Sequence, residues 1–127
     1  MYDGKVVNLL DDFPGRTVTM AHSISDKSGS RFCTMYGHTA LSCDLHVGKN
    51  INQGEIIATA AELAPTVTDI LPHLHISMGW VNASIAFHRL DWKIIGARDA
   101  VSLIDPLCAI DRHCRLEESI LDRHKLK

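Results

Sequence analysis

Aromatic side chains are scarce: three Phe, two Trp and two Tyr among 127 residues. Any core must therefore be built mostly from aliphatic residues, Met and Cys, which the 46% hydrophobic content supplies. Charge of one sign is lacking too. Thirteen Lys and Arg stand against 15 Asp and Glu, for a net charge of -2. That balance offers no electrostatic footprint for nucleic acid or for an anionic membrane surface. Long apolar runs are missing. Ile56-Ile57-Ala58-Thr59-Ala60-Ala61 falls far short of the roughly 20 residues of a spanning helix, so no membrane span is expected. Met1-Tyr2-Asp3-Gly4-Lys5-Val6-Val7 lacks a basic segment followed by an apolar one, and no signal peptide is visible in it. What remains is the composition of a globular chain of one domain with a modest core.

Cysteine gives little direction. Cys33, Cys43, Cys108 and Cys114 contain no close pair of the kind a structural zinc knuckle uses. Two disulfides in an oxidising compartment and four buried thiols in a reducing one both fit. The lack of an export signal favours thiols.

Histidine is what the chain has in excess, with eight residues. It is the commonest metal ligand and titrates nearest neutral pH. The question is whether the histidines converge.

The first three quarters of the chain read as β structure. Val6 to Leu10 is a short apolar run closed by the turn-rich Asp11-Asp12-Phe13-Pro14-Gly15. Arg16 to His22 alternates, with Val18, Met20 and His22 on one face and Thr17, Thr19 and Ala21 on the other. Ser23 to Ser30 is a polar loop, and Arg31 to His38 alternates again, with Phe32, Thr34, Tyr36 and His38 together. Gly48 and Gly54 bracket Ile51 and suit tight turns with positive φ, after which Ile56 to Ala60 is expected as a strand. Glu62 to Leu71, with Pro65, reads as a loop. Pro72 to Met78 reads as a strand that begins at proline, where the lost N–H costs least. Past Pro106, apolar residues from Leu107 to Leu121 recur at near-helical spacing and predict amphipathic helical turns.

His73-Leu74-His75 is the sharpest motif. On a strand, residues two apart share a face, so both imidazoles point one way. On a helix the rings would splay about 200° apart. Taken alone, the pair also fits a polar strand face with two hydrogen-bonded histidines. Tyr36-Gly37-His38 is the second piece. Its glycine permits close backbone approach, and its tyrosine offers a phenolic O–H beside a ligand.

In order and spacing, these pieces resemble the lysostaphin/LytM-type zinc endopeptidases, which cut peptide cross-links in bacterial cell walls. Asp3-Gly4-Lys5-Val6-Val7 is similar to that family's opening strand and Gly15 to His22 to its second. Tyr36-Gly37-His38 resembles its tyrosine–histidine motif, and Val47-Gly48 through Ala58 its paired-glycine hairpin. Pro72-His73-Leu74-His75-Ile76 resembles its closing His-x-His strand, and Ile104-Asp105-Pro106-Leu107 its Asp-Pro ending. The resemblance implies an antiparallel β sandwich over residues 1–110, followed by a helical tail over 111–127. It also implies roles: His75 as a zinc ligand, with His38 and His73 as catalytic residues lining the metal-bound water. Three protein ligands would leave one position open and bring that water's pKa to about 7.

The departures from the family are specific. Its other two zinc ligands, a histidine and an aspartate, precede the opening strand. No residue of this chain matches them, and Asp3 sits too late in the pattern. His22 is a weak candidate for the same cavity. The small-residue turn before His-x-His is replaced by Ala61 to Leu71, and Met78 to Leu103 is an added segment with Trp80, Phe87 and Trp92, expected to form a hairpin over an open sheet edge. With one of three zinc ligands present, the chain reads as a degenerate member that keeps the β scaffold as a binding or assembly module, with a peptide or peptidoglycan-like ligand. The alternative is a zinc-dependent endopeptidase whose missing ligands come from outside this chain. A remote third is a biotinyl/lipoyl-like carrier, suggested by Gly48, Gly54 and Ile56, for which Lys49 would be the attachment point but lacks the flanking residues. The family works mostly outside the cytoplasm, while this sequence by itself leaves localisation undefined.

Overall fold

The computed structural model describes residues 2–12, 15–62 and 71–110. Its centre is an antiparallel meander. Strand β1 (Gly4–Asp11) pairs with β2 (Arg16–Ser25), β2 with β3 (Arg31–Leu41), and β3 with β6 (His75–Val81). The β-branched and aliphatic alternation of these segments suits a pleated surface buried on both sides. Short strands complete the sheet. β4 (Asn50–Ile51) flanks β1, β7 (Val101–Ile104) flanks β6, and β5 (Ala58–Ala60) pairs with the far end of β3. The seven-stranded antiparallel sheet makes the fold mainly β.

Two layers cover the sheet. On one face Val6, Val18, Met20, Leu45 and Ile51 form one cluster, and Phe32, Met78 and Trp80 form a second. The Phe32 and Trp80 rings lie 5.2 Å apart at 53°, a tilted geometry that aromatic pairs prefer over a flat sandwich. On the other face Cys33, Met35, Val81 and its cross-strand neighbour Val101 are roofed by Leu90 and Ile95. The roof is the added segment. It forms a 3-10 turn (Phe87–Arg89) and a one-turn helix, α1 (Trp92–Ile95), capped by the Asp91 carboxylate on the Ile94 N–H at 2.8 Å. It then returns as β7 along the edge of β6. The expected hairpin is thus a longer loop with helical turns that covers both an edge and a face.

Several boundaries differ from the sequence reading for identifiable reasons. β2 runs on to Ser25, and an Asp26 carboxylate accepts the Ser28 and Ser30 N–H groups, shortening the polar loop to a tight turn. Gly48 and Gly54 take φ of 95° and 86°, as anticipated. The strand after them starts at Ala58, and Ile56 is 82% exposed. β6 begins at His75 instead of Pro72. Its last pair with β3 is Gly37 with His75; beyond that point β3 gives the same edge to β5, pairing Thr39 with Ala60. Residues 71–74 have no ladder left to join. Asp105 starts a helical turn, α2 (Leu107–Ile110), by accepting the Leu107 N–H at 2.9 Å. The tail over 111–127, and Cys114 with it, lies outside the described residues, as does most of the loop before His73. Cys33, Cys43 and Cys108 are free thiols, and Cys33 alone of these is buried.

Candidate functional site: a histidine cluster at a strand bulge

The register between β2 and β3 shifts at one point. Val18 faces Tyr36, yet Arg16 faces Thr39, so Gly37 and His38 together oppose Thr17. Two residues against one is a β-bulge. His38 takes the left-handed conformation there, with φ of 60°, and among the described residues no other non-glycine has positive φ. Strict alternation would put His38 on the face of Tyr36. The bulge re-aims it to the side of Gly37 and His75. Its ring lies 5.6 Å from the His75 ring and 5.0 Å from the His73 ring, edge-on to both. Gly37 permits this closeness: a Cβ there would stand 3.3 Å from the His75 Cβ.

His73 thus reaches the cluster from the segment ahead of β6, not from the strand itself. Its Nδ1 donates to the Leu71 carbonyl at 3.0 Å. The expectation that both histidines share one strand face is corrected, while their convergence on His38 is found.

Two further residues complete the site. Asp12 follows β1, and its carboxylate is only 5% exposed. One oxygen accepts the His38 backbone N–H at 3.0 Å and the Thr17 hydroxyl; the other accepts His38 Nδ1 at 3.3 Å. Trp92 of α1 lies 6.0 Å from the His75 ring. Asp12, His38, His75 and Trp92 line one open cleft. Sequence reasoning missed Asp12 because it stands in a turn-rich cluster with no motif spacing to His38. It noted Trp92 only as part of the added segment.

Other candidates fall elsewhere. His22 faces the opposite layer, between Tyr2 and Phe32. Both its nitrogens are engaged: Nδ1 donates to the Asp3 carbonyl at 2.9 Å, and Nε2 meets the Thr34 hydroxyl at 2.7 Å. Burial pushes its pKa below the ordinary value, against the raising effect of the Asp3 bond. It is a core histidine and does not join the cleft. Tyr36 lines a neighbouring apolar groove with Ile56, Ile57, Leu74 and strand β5, and burial raises its pKa. Lys49 is held by Asp44 at 2.5 Å, and that hydrogen bond raises the lysine's pKa.

Comparison with family models, with curated proteins and with solved structures returned no match. The site's chemistry therefore rests on its own geometry. Among the described residues, no group of three or more His, Cys, Asp and Glu is arranged to hold a metal ion. The one carboxylate at the cluster, Asp12, already accepts three donors. The set does not fit a tetrahedral zinc site. What the cleft does offer is imidazole nitrogen beside an indole wall: acceptors and donors for amide groups, next to an apolar groove.

Proposed function

We propose that this chain is a lysostaphin/LytM-like β sandwich that binds peptide segments of the cell-wall cross-link type, without a complete zinc site of its own. The observation that carries the reading is the meeting of His38 with His73 and His75, which lie 35 or more residues further along the chain, at the end of one strand pair. Leu74, between two of them, lines the apolar groove beside the cluster. An extended peptide laid there would bury apolar side chains against Tyr36 and Ile57 and present backbone amides to the imidazoles. Clefts of this make-up, mostly apolar with a few convergent polar groups, are the usual form of ligand sites.

The test is direct. Synthetic cross-link peptides and purified peptidoglycan are offered to the full chain, and binding is measured by calorimetry and co-sedimentation. Binding without release of new amino termini is expected, with loss on His73→Ala or His75→Ala. Cleavage that requires added zinc would replace this reading with the alternative, a zinc-dependent endopeptidase whose remaining ligands lie outside the chain. No affinity for either ligand would end both.

A further inference from the structure

We propose that Asp12 is the positioning residue of the histidine cluster, fixing His38 as its Nδ1–H tautomer so that the Nε2 lone pair is what the cleft presents to a ligand. The inference deepens the peptide-binding reading, yet the tautomer is a property of the free protein and stands or falls without it.

The argument begins with the backbone. A bulge removes a residue from the ladder, and its N–H then needs another acceptor. At His38 that acceptor is Asp12, at 3.0 Å. The conformation itself is unfavourable for a residue with a β-carbon. Such strain persists only where surrounding contacts over-determine it. Asp12 provides them: it holds the backbone and the ring of the same residue at once. The Thr17 hydroxyl, wholly buried on β2, donates to the same carboxylate oxygen and orients it.

The ring follows from the carboxylate. An ionised carboxylate accepts and does not donate. The ring nitrogen facing it must therefore carry the proton, and in the neutral ring this leaves Nε2 as the acceptor. His73 obeys the same logic, because the Leu71 carbonyl also only accepts. Both anchored rings thus present Nε2 lone pairs. Such an array favours a ligand that brings N–H donors, such as the amides of an extended peptide, over one that brings only acceptors.

The experiment uses the full chain with 15N-labelled histidine at a pH where the imidazoles are neutral. Long-range proton–nitrogen correlation spectra separate a protonated ring nitrogen from one with a lone pair. In the wild type, His38 is expected as Nδ1–H. Asp12→Asn keeps the size and retains an oxygen for the His38 N–H and Thr17, but turns an NH2 toward Nδ1. His38 is then expected to switch to Nε2–H while His73, held by a backbone carbonyl, does not change. A purely structural Asp12 would leave the tautomer where it was. A wild-type His38 found as Nε2–H, or one indifferent to Asp12→Asn, would overturn the proposal. A wild-type His38 found as Nε2–H overturns the proposal even if the variant fails to fold; should Asp12→Asn not fold, Asp12→Glu, which keeps an accepting carboxylate, is expected to retain Nδ1–H. Where the wild type binds cross-link peptide, Asp12→Asn is expected to weaken that binding about tenfold. If the wild type binds no peptide but shows the Nδ1–H tautomer, the ligand reading fails and the role of Asp12 remains.

Discussion

His38 sits at φ of 60°, where an L-residue other than glycine loses about 1–2 kcal/mol. In return its ring makes a 3.3 Å bond to Asp12 at the edge of an open cleft. Selection for stability alone would place glycine here. His38→Gly is accordingly expected to unfold at the same or a higher urea concentration than the wild type, by up to about 1 kcal/mol, while losing the cluster. A loss of more than that would mean the ring, not the backbone, holds the bulge together. A second residue carries the opposite lesson. Cys33 is fully buried on the central strand, and burial pushes its thiol up to about 12. Little thiolate forms at neutral pH, and thiolate is the reactive species. Iodoacetamide on the native chain should label the exposed Cys43 and leave Cys33 untouched until the protein is unfolded.

At the scale of elements, the added segment is tied to the sheet by the β6–β7 ladder and by two side chains of the meander. Asn8 on β1 donates both amide hydrogens, to the Phe87 carbonyl at 2.8 Å and the Leu90 carbonyl at 2.9 Å. Arg31 on β3 reaches the Asn82 and Ile85 carbonyls and lies 3.9 Å above the Phe87 ring. Together they hold the roof over Cys33 and Met35 and so keep Trp92 against His75. Asn8→Ala would strip the Leu90 carbonyl of this donor, while the Phe87 carbonyl keeps the Leu90 N–H, and is expected to cost about 1–2 kcal/mol. Amide exchange should accelerate more over residues 82–100 than in β2 and β3; uniform acceleration would show that the roof and the sheet unfold as one. Neither anchor was legible in the sequence. Asn8 reads as a polar interruption of an apolar run, and only its partners, some eighty residues on, explain it. The alternating strands were legible because period-two burial is local. The true start of β6 was not, because it depends on where β5 takes over the edge of β3.

For the molecule as a whole, the same division of local from long-range information governs the site. That residues 38, 73 and 75 lie near one another was expected from the family resemblance, but that His38 turns toward the other two depends on the bulge. The carboxylate that aims one of them depends on a bulge that no spacing announces. The two layers also separate function from acid stability. His22 lies in the layer opposite the cleft, 6% exposed, with its pKa lowered chiefly by desolvation. Above about pH 6.5 the residue is neutral in both folded and unfolded chains and contributes no pH dependence. As pH falls below that, the unfolded chain takes up the proton first, and stability declines until the folded value is passed. His22→Gln removes this term. Its urea midpoint should be lower than the wild type's at pH 7.5, yet fall less steeply between pH 7 and 5. Parallel curves for the two proteins would locate the acid sensitivity in other groups and break the assignment of His22 to the core alone.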